Sequence, residues 1–179
     1  MKETVAAFSL FLLIIIGMSF FSNSCGLAGG GSNLDYVKKN FTAIISGKVD
    51  GENYLVNVFS LPDAKDGEIR MSVLFSEPKA LEGMRVSISK SGECALRLES
   101  SVVHGEEYLG LVEPYLLFCE GGTPSRVSTE PDGGRLFYFC DESCDLTLQF
   151  EKGSGTPSRI SGKIRDREID LRVEEFAFN

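Results

Sequence analysis

The sequence predicts a mainly β fold of the α+β type: a curved antiparallel sheet, or incomplete β-barrel, carrying one or two short helices. Three observations predict it. Apolar residues alternate with polar ones in short successive runs, as in Ile69, Met71, Val73 and Phe75 with Arg70 and Ser72 between them; this is the pattern of an antiparallel sheet wet on one face. Turn pairs separate the runs: Asp50-Gly51, Asp66-Gly67, Glu82-Gly83 and Ser91-Gly92. One central stretch, His104 to Cys119, abandons the alternation.

Taken in order, a short helix is expected near Leu34 to Lys39. Phe41, Ala43 and Ile45 open the first strand, and Asp50-Gly51 offers a tight hairpin turn into Tyr54, Val56 and Val58. Three more strands run from Ile69 to Phe75, Met84 to Ile88 and Cys94 to Leu98, with Arg70, Ser72, Arg85, Ser87 and Arg97 on the opposite face. In the middle, Pro114 leads Tyr115, Leu116, Leu117 and Phe118. Proline suits a first helical turn and Gly121-Gly122 can close a helix, so a helix is expected from Pro114 to Glu120. A buried strand is the competing reading of so short an apolar run.

Leu136 to Phe139, Leu146 to Phe150, Arg159 to Ile164 and Glu168 to Phe178 then complete nine strands. In the last, Ile169, Leu171 and Val173 share one face while Phe176 and Phe178 fall on the other. A bulge near Glu174-Glu175 would return the aromatics to the apolar side. The segment Gly-Thr-Pro-Ser-Arg occurs at 122–126 and again at 155–159. Each copy reads as a proline turn leading into a strand, and two short copies do not make a repeat architecture. The economical arrangement is a meander that curls over one apolar face, with helical residues plugging the concavity. Tyr54, Met71, Phe75, Tyr138 and Phe150 are the residues expected to point inward.

Composition narrows the function. Asp+Glu outnumber Lys+Arg by 26 to 18, a formal net charge of -8. That balance argues against nucleic acid, which needs a basic face, and against electrostatic docking on anionic lipid. There is no tryptophan and a single histidine, which leaves little for His-centred metal sites or catalysis.

The first residues stand apart. Val5 to Phe21 is apolar except for the hydroxyls of Ser9 and Ser19, slightly short for a membrane span of ~20 residues and long for a signal-peptide core. Small residues then precede a cysteine, Ser22-Asn23-Ser24-Cys25-Gly26. This resembles the lipobox of bacterial lipoproteins, with Ser22 where that family prefers leucine. The resemblance implies a signal peptide over 1–24, a Cys25 thiol carrying a diacylglyceryl group, and palmitate-type acylation. Ser22 and Ser24 also fit ordinary signal peptidase, and a retained anchor with a free Cys25 thiol is the third reading. Residues 25–33 are a glycine-rich tether with a reach of about 15 Å, and 34–179 is a single domain. Two acyl chains hold a protein at a membrane stably where one does not.

The strand and turn order resembles the LolA/LolB-type lipoprotein-carrier fold, and more closely small uncharacterised lipoproteins of clostridia. The residues that carry the resemblance are Phe41-Thr42-Ala43, Asp50-Gly51 with Tyr54, Pro78 with Leu81-Glu82-Gly83, and Gly155-Thr156-Pro157-Ser158-Arg159-Ile160. It implies an incomplete barrel whose apolar concave face is closed by helices and holds acyl chains. The carriers' arginine latch has no matching position here, so no ligand residue is carried over.

Few residues carry chemistry. Cys140 and Cys144 flank three turn residues. A three-residue hairpin loop would set them opposite each other at Cβ separations of ~4.5–5.5 Å, near the disulfide range of ~3.5–4.5 Å. A bridge in an exported domain and two reduced thiols both remain open. Cys94 and Cys119 sit in apolar runs and read as core. The four lack the paired spacing of a structural zinc site, so no metal and no cofactor are expected. His104, beside Glu106 and Glu107, has no readable nucleophile partner. The glycine-rich stretches at 29–31 and 153–155 lack the lysine of a phosphate loop.

The expectation is a lipid-anchored protein on the extracytoplasmic face of the cell membrane, not an enzyme. Its partners would be the membrane, through the N-terminal lipid, and a lipid or other hydrophobic ligand on the concave face. The alternative is a structural or interaction module of the envelope with a filled core. An open concavity favours the first reading and a packed interior the second.

Overall fold

Alternation gives each strand one apolar face, and the computed structural model, which describes residues 34–179, joins those faces in a single sheet. The stretch read as a signal peptide, Cys25 and the glycine-rich tether lie outside the described residues. Eleven strands are present: β1 (Phe41–Val49), β2 (Glu52–Ser60), β3 (Ile69–Glu77), β4 (Arg85–Ser89), β5 (Cys94–Leu98), β6 (Ser101–His104), β7 (Arg126–Thr129), β8 (Arg135–Cys140), β9 (Cys144–Phe150), β10 (Arg159–Ile164) and β11 (Arg167–Phe178). One α-helix, α1 (Leu109–Glu120), separates β6 from β7, and short 310 turns occupy Asp35–Lys38, Lys79–Leu81 and Glu106–Tyr108.

The spatial order is β6-β5-β4-β3-β2-β1-β11-β10-β9-β8-β7, antiparallel throughout. Two meanders therefore meet at the centre, where the first and last strands pair. Both edges, β6 and β7, belong to the same connection, so the segment containing α1 must cross from one edge of the open, curved sheet to the other.

Local chemistry explains the register. Val49 pairs with Glu52, and the two residues between them, Asp50 and Gly51, have φ of 52° and 80°; this is the primed turn whose twist matches that of the flanking strands. Curvature has its own residues. Gly47 lies opposite Leu171 and Gly162 opposite Ile169, at φ of 142° and 133°. A Cβ at Gly47 would overlap the Asp170 carbonyl, and one at Gly162 the Asp145 carbonyl. Glycine is required where neighbouring strands approach this closely, and such kinks let a sheet curl.

The bulge expected near Glu174-Glu175 is present. Ile44 pairs with Glu175 and Ile45 with Val173, leaving Glu174 as the extra residue. Phe176 then falls opposite Ala43, and its ring stacks on Phe41 at 4.8 Å. A second bulge at Arg70 turns that side chain, outward by alternation, toward the end of α1, where it meets Glu120 at 2.8 Å.

Four sequence expectations are corrected. There are eleven strands, not nine: β6 is exposed along its whole length and β7 nearly so, and an edge strand without a buried face leaves no alternation to read. The helix begins at Leu109, five residues before Pro114, so proline sits inside it and not in its first turn. Tyr138 does not point inward; Phe137 and Phe139 are the buried residues of β8. The run Leu136-Phe137-Tyr138-Phe139 is apolar at every position, which hides its phase. Tyr138 instead lies under the Arg126 guanidinium at 4.0 Å. At the N-terminus the expected helix is a single 310 turn, Asp35–Lys38.

Replacing Gly162 with alanine should lower unfolding free energy by about 1–3 kcal/mol through strain at a glycine-only backbone position. A urea titration should show an earlier midpoint with unchanged slope; an unshifted midpoint would mean that the sheet can relax there.

Candidate functional site

The concave face is the one large apolar surface of the sheet, and α1 occupies it. Val112, Tyr115, Phe118 and Cys119 of the helix are buried, and they meet a floor that includes Ile45, Val58, Val73, Phe75, Leu148 and Phe150. Tyr36, from the N-terminal 310 turn, seals the lower end. Its ring lies within 5.8–6.0 Å of Phe41, Phe118, Phe150 and Phe176, and its hydroxyl donates to the Phe118 carbonyl at 2.8 Å. Burial, with a smaller contribution from the Cys119 thiol, pushes the Tyr36 phenol well above its ordinary range, so the neutral donor persists at any physiological pH.

The helix is apolar on nearly every side. Leu109, Leu111, Leu116 and Leu117 are only partly buried, on the rim of its seat. A helix that is hydrophobic all round is ordinarily buried all round; this one is covered by the sheet on one side alone.

Polar attachments are few and sit near the helix ends. Proline at 114 has no N–H, so the Gly110 carbonyl one turn earlier loses its intrahelical donor. The Arg167 guanidinium supplies the replacement, donating through Nη1 to the Gly110 carbonyl at 2.6 Å while Nε faces Asp50 Oδ2 at 3.3 Å. Asp50 is itself fixed by accepting from the Glu168 N–H at 2.8 Å. Beside this, Arg165 pairs with Glu113 at 3.2 Å, and at the far end Arg70 pairs with Glu120 at 2.8 Å. The β10–β11 turn and the β3 bulge thus pin the two ends of α1.

Three buried side-chain atoms have no hydrogen-bond partner among the described residues: Asn40 Oδ1, Arg70 Nε and, on the helix itself, the Tyr115 hydroxyl. The Tyr115 phenol is pushed upward, first by burial and then by Tyr54, with Arg167 opposing. A buried unpaired hydroxyl costs ~1–3 kcal/mol.

The remaining sequence candidates are placed as follows. Cys140 and Cys144 are both free thiols. The expected direct opposition fails, because Cys140 pairs with Asp145. Cys140 is exposed on the outer face, whereas Cys144 faces Ile164 on the inner side. The hairpin loop is one residue longer than a symmetric three-residue turn requires. Cys94 and Cys119 are core residues, as expected. His104 is exposed on edge strand β6. It shares a surface cleft with Cys94 and Glu106, but burial and Glu107 raise the Cys94 thiol, the reverse of what activates a nucleophile. Among the described residues no group of His, Cys, Asp or Glu side chains converges on a metal position. Four surface clefts, beside Lys163, His104, Asn57 and Glu77, are lined by residues of other elements.

Sequence reasoning missed Arg167 and Tyr115. Arg167 had a usable signal: an internal proline orphans the carbonyl four residues back, and some donor must answer it.

No family model matches the chain, and no curated protein matches it. An uncharacterized conserved protein from Thermus thermophilus is similar in structure, with 21% identity over 79% of this chain and 79% of its own, at a TM-score of 0.50. That likeness concerns the fold alone. A LolA superfamily protein from Nitrosomonas europaea also stands among the structural neighbours, with 11% identity over 79% of this chain and 86% of its own, at a TM-score of 0.45.

Exchanging Arg167 for alanine should cost about 1–3 kcal/mol, because the Gly110 carbonyl loses its donor. Pro114→Ala restores a backbone N–H at the right place, so it should help more in the Arg167→Ala background than alone. A double-mutant cycle by urea unfolding reads that coupling; strict additivity would overturn the role given to Arg167.

Proposed function

We propose that this protein is a membrane-tethered, extracytoplasmic, non-enzymatic domain that binds an acyl chain or similar apolar molecule between the concave face of its sheet and α1. The observation that carries this reading is the helix itself. It lies on the concave face over the central strands, is apolar on nearly every side and is held by a small set of polar contacts near its ends. Apolar contact is non-directional, so a flexible hydrocarbon can take the place of the helix on the same floor. The interior is filled in this state, and a ligand enters only as α1 moves outward about its pinned ends.

A second reading has its own support. Val58, Val73, Val112, Tyr115 and Phe118 are wholly buried. On that reading the domain is an envelope interaction module whose core needs no ligand. Native mass spectrometry of the full-length chain, released from non-ionic detergent after exposure to phospholipids and fatty acids, separates the two. Retained lipid adducts that weaken when an engineered disulfide clamps α1 to β10 support the first reading; a bare protein mass with every lipid overturns it in favour of the second.

The tether is part of the proposal, through diacylglyceryl modification and acylation of Cys25. Cells fed a labelled palmitate analogue should incorporate it into the wild-type chain and not into Cys25→Ser. Absence of label from the wild type would leave signal cleavage or a retained anchor in its place.

A further inference from the structure

The outer face of the sheet carries two directly opposed pairs of arginines, and they are treated differently. On β10 and β11, Arg159 lies opposite Arg172. Like charges directly across a strand pair are destabilising, and here a carboxylate answers them. Asp170 takes Arg159 in a two-pronged contact, Nε at 2.7 Å and Nη2 at 2.9 Å. The Asp170 carboxyl is held below its usual range by that bond first, then by the charges of Arg159, Arg172 and Lys48.

On β4 and β5, Arg85 lies opposite Arg97. Both are exposed, and neither has an ion-pair partner among the described residues. From Ser72 to Leu74 on β3, and through β4, β5 and β6, no outward position carries a carboxylate. Glu77 is on this face only beyond the bulge at the end of β3, and Glu99 sits in the turn after β5. The pair is flanked in register by Leu74 on one side and by Val102, 45% exposed, on the other. In a chain of net charge -8, an uncompensated guanidinium pair between apolar neighbours breaks a local rule with no internal gain, and such places are where function is sought.

We propose that Arg85 and Arg97 form a binding site for a phosphoryl group, supplied from outside in the position that Asp170 fills at the other pair. Two planar guanidinium forks match the oxygens of one phosphate, and the Ser87 hydroxyl lies one outward position further along β4. The site is separate from the concave face and does not depend on ligand binding there. Its phosphoryl group belongs either to a soluble phosphate or phosphomonoester, or to the diester headgroup of a phospholipid.

The test uses the full-length chain in non-ionic detergent, with thermal unfolding followed by circular dichroism at constant ionic strength. Titrated inorganic phosphate should raise the midpoint saturably by a few degrees, while chloride should not. Arg97→Gln should abolish that increment and yet unfold no earlier than the wild type without phosphate, because it relieves the like-charge repulsion. A merely structural arginine would show the opposite, a lower midpoint and an unchanged phosphate response. Arg172→Gln, at the compensated pair, should leave the increment in place. Glycerophosphoglycerol, a soluble phosphodiester headgroup, distinguishes the sources: a response comparable to that of phosphate assigns the site to lipid headgroups, and a response to phosphate alone assigns it to a soluble anion. No saturable shift with either probe, or an equal shift in Arg97→Gln, would overturn the site.

Discussion

Everything in this structure follows from one connection. A single sheet with one apolar face cannot leave that face in water, and curling reduces the exposed area without removing it. The chain solves this by placing both sheet edges at the two ends of one segment. A segment that must travel from β6 to β7 has to cross the concavity, and the residues it carries there are Val112, Tyr115 and Phe118. The covering helix is thus a topological consequence, and its apolar sequence is what that position demands. Gly47 and Gly162 serve the same end, because they let the sheet bend around the helix.

Most of the fold was legible because most strands are half-buried. Where one face is dry and the other wet, as in β1 to β5 and β9 to β11, alternation reports the phase directly, and even the Glu174 bulge is visible as a slip in it. Legibility failed where that contrast is missing. Edge strands β6 and β7 have two wet faces, and β8 has two apolar ones. The start of α1 was hidden by Pro114, which marks a first turn in most helices and here sits inside one. The expected direct opposition of Cys140 and Cys144 failed for a related reason, since a one-residue difference in loop length sends two side chains to opposite faces of the sheet.

The site was less legible than the fold. Its polar fixtures come from turns that read as solvated loops: Asp50, Arg165 and Arg167 look like ordinary hairpin charges until the helix is laid beside them. Net charge was similarly uninformative about faces. An overall excess of acid coexists with an outward strip on β4 and β5 whose only charged side chains are arginines, because composition sums over surfaces that the register keeps apart.

A filled interior and a binding role are compatible on energetic grounds. Seating Val112, Tyr115 and Phe118 of α1 gains about 1.5–3 kcal/mol per side chain, or roughly 5–9 kcal/mol together. An acyl chain burying roughly a dozen methylenes at ~0.8 kcal/mol each gains a similar amount on the same floor. On the proposed reading, the polar fixtures would set the direction of any exchange between helix and hydrocarbon. The Tyr36 bond to the Phe118 carbonyl and the Arg167 bond to the Gly110 carbonyl favour the seated helix. The unpartnered Tyr115 hydroxyl opposes it, since any outward movement that lets water or a ligand oxygen reach that group recovers its lost hydrogen bond.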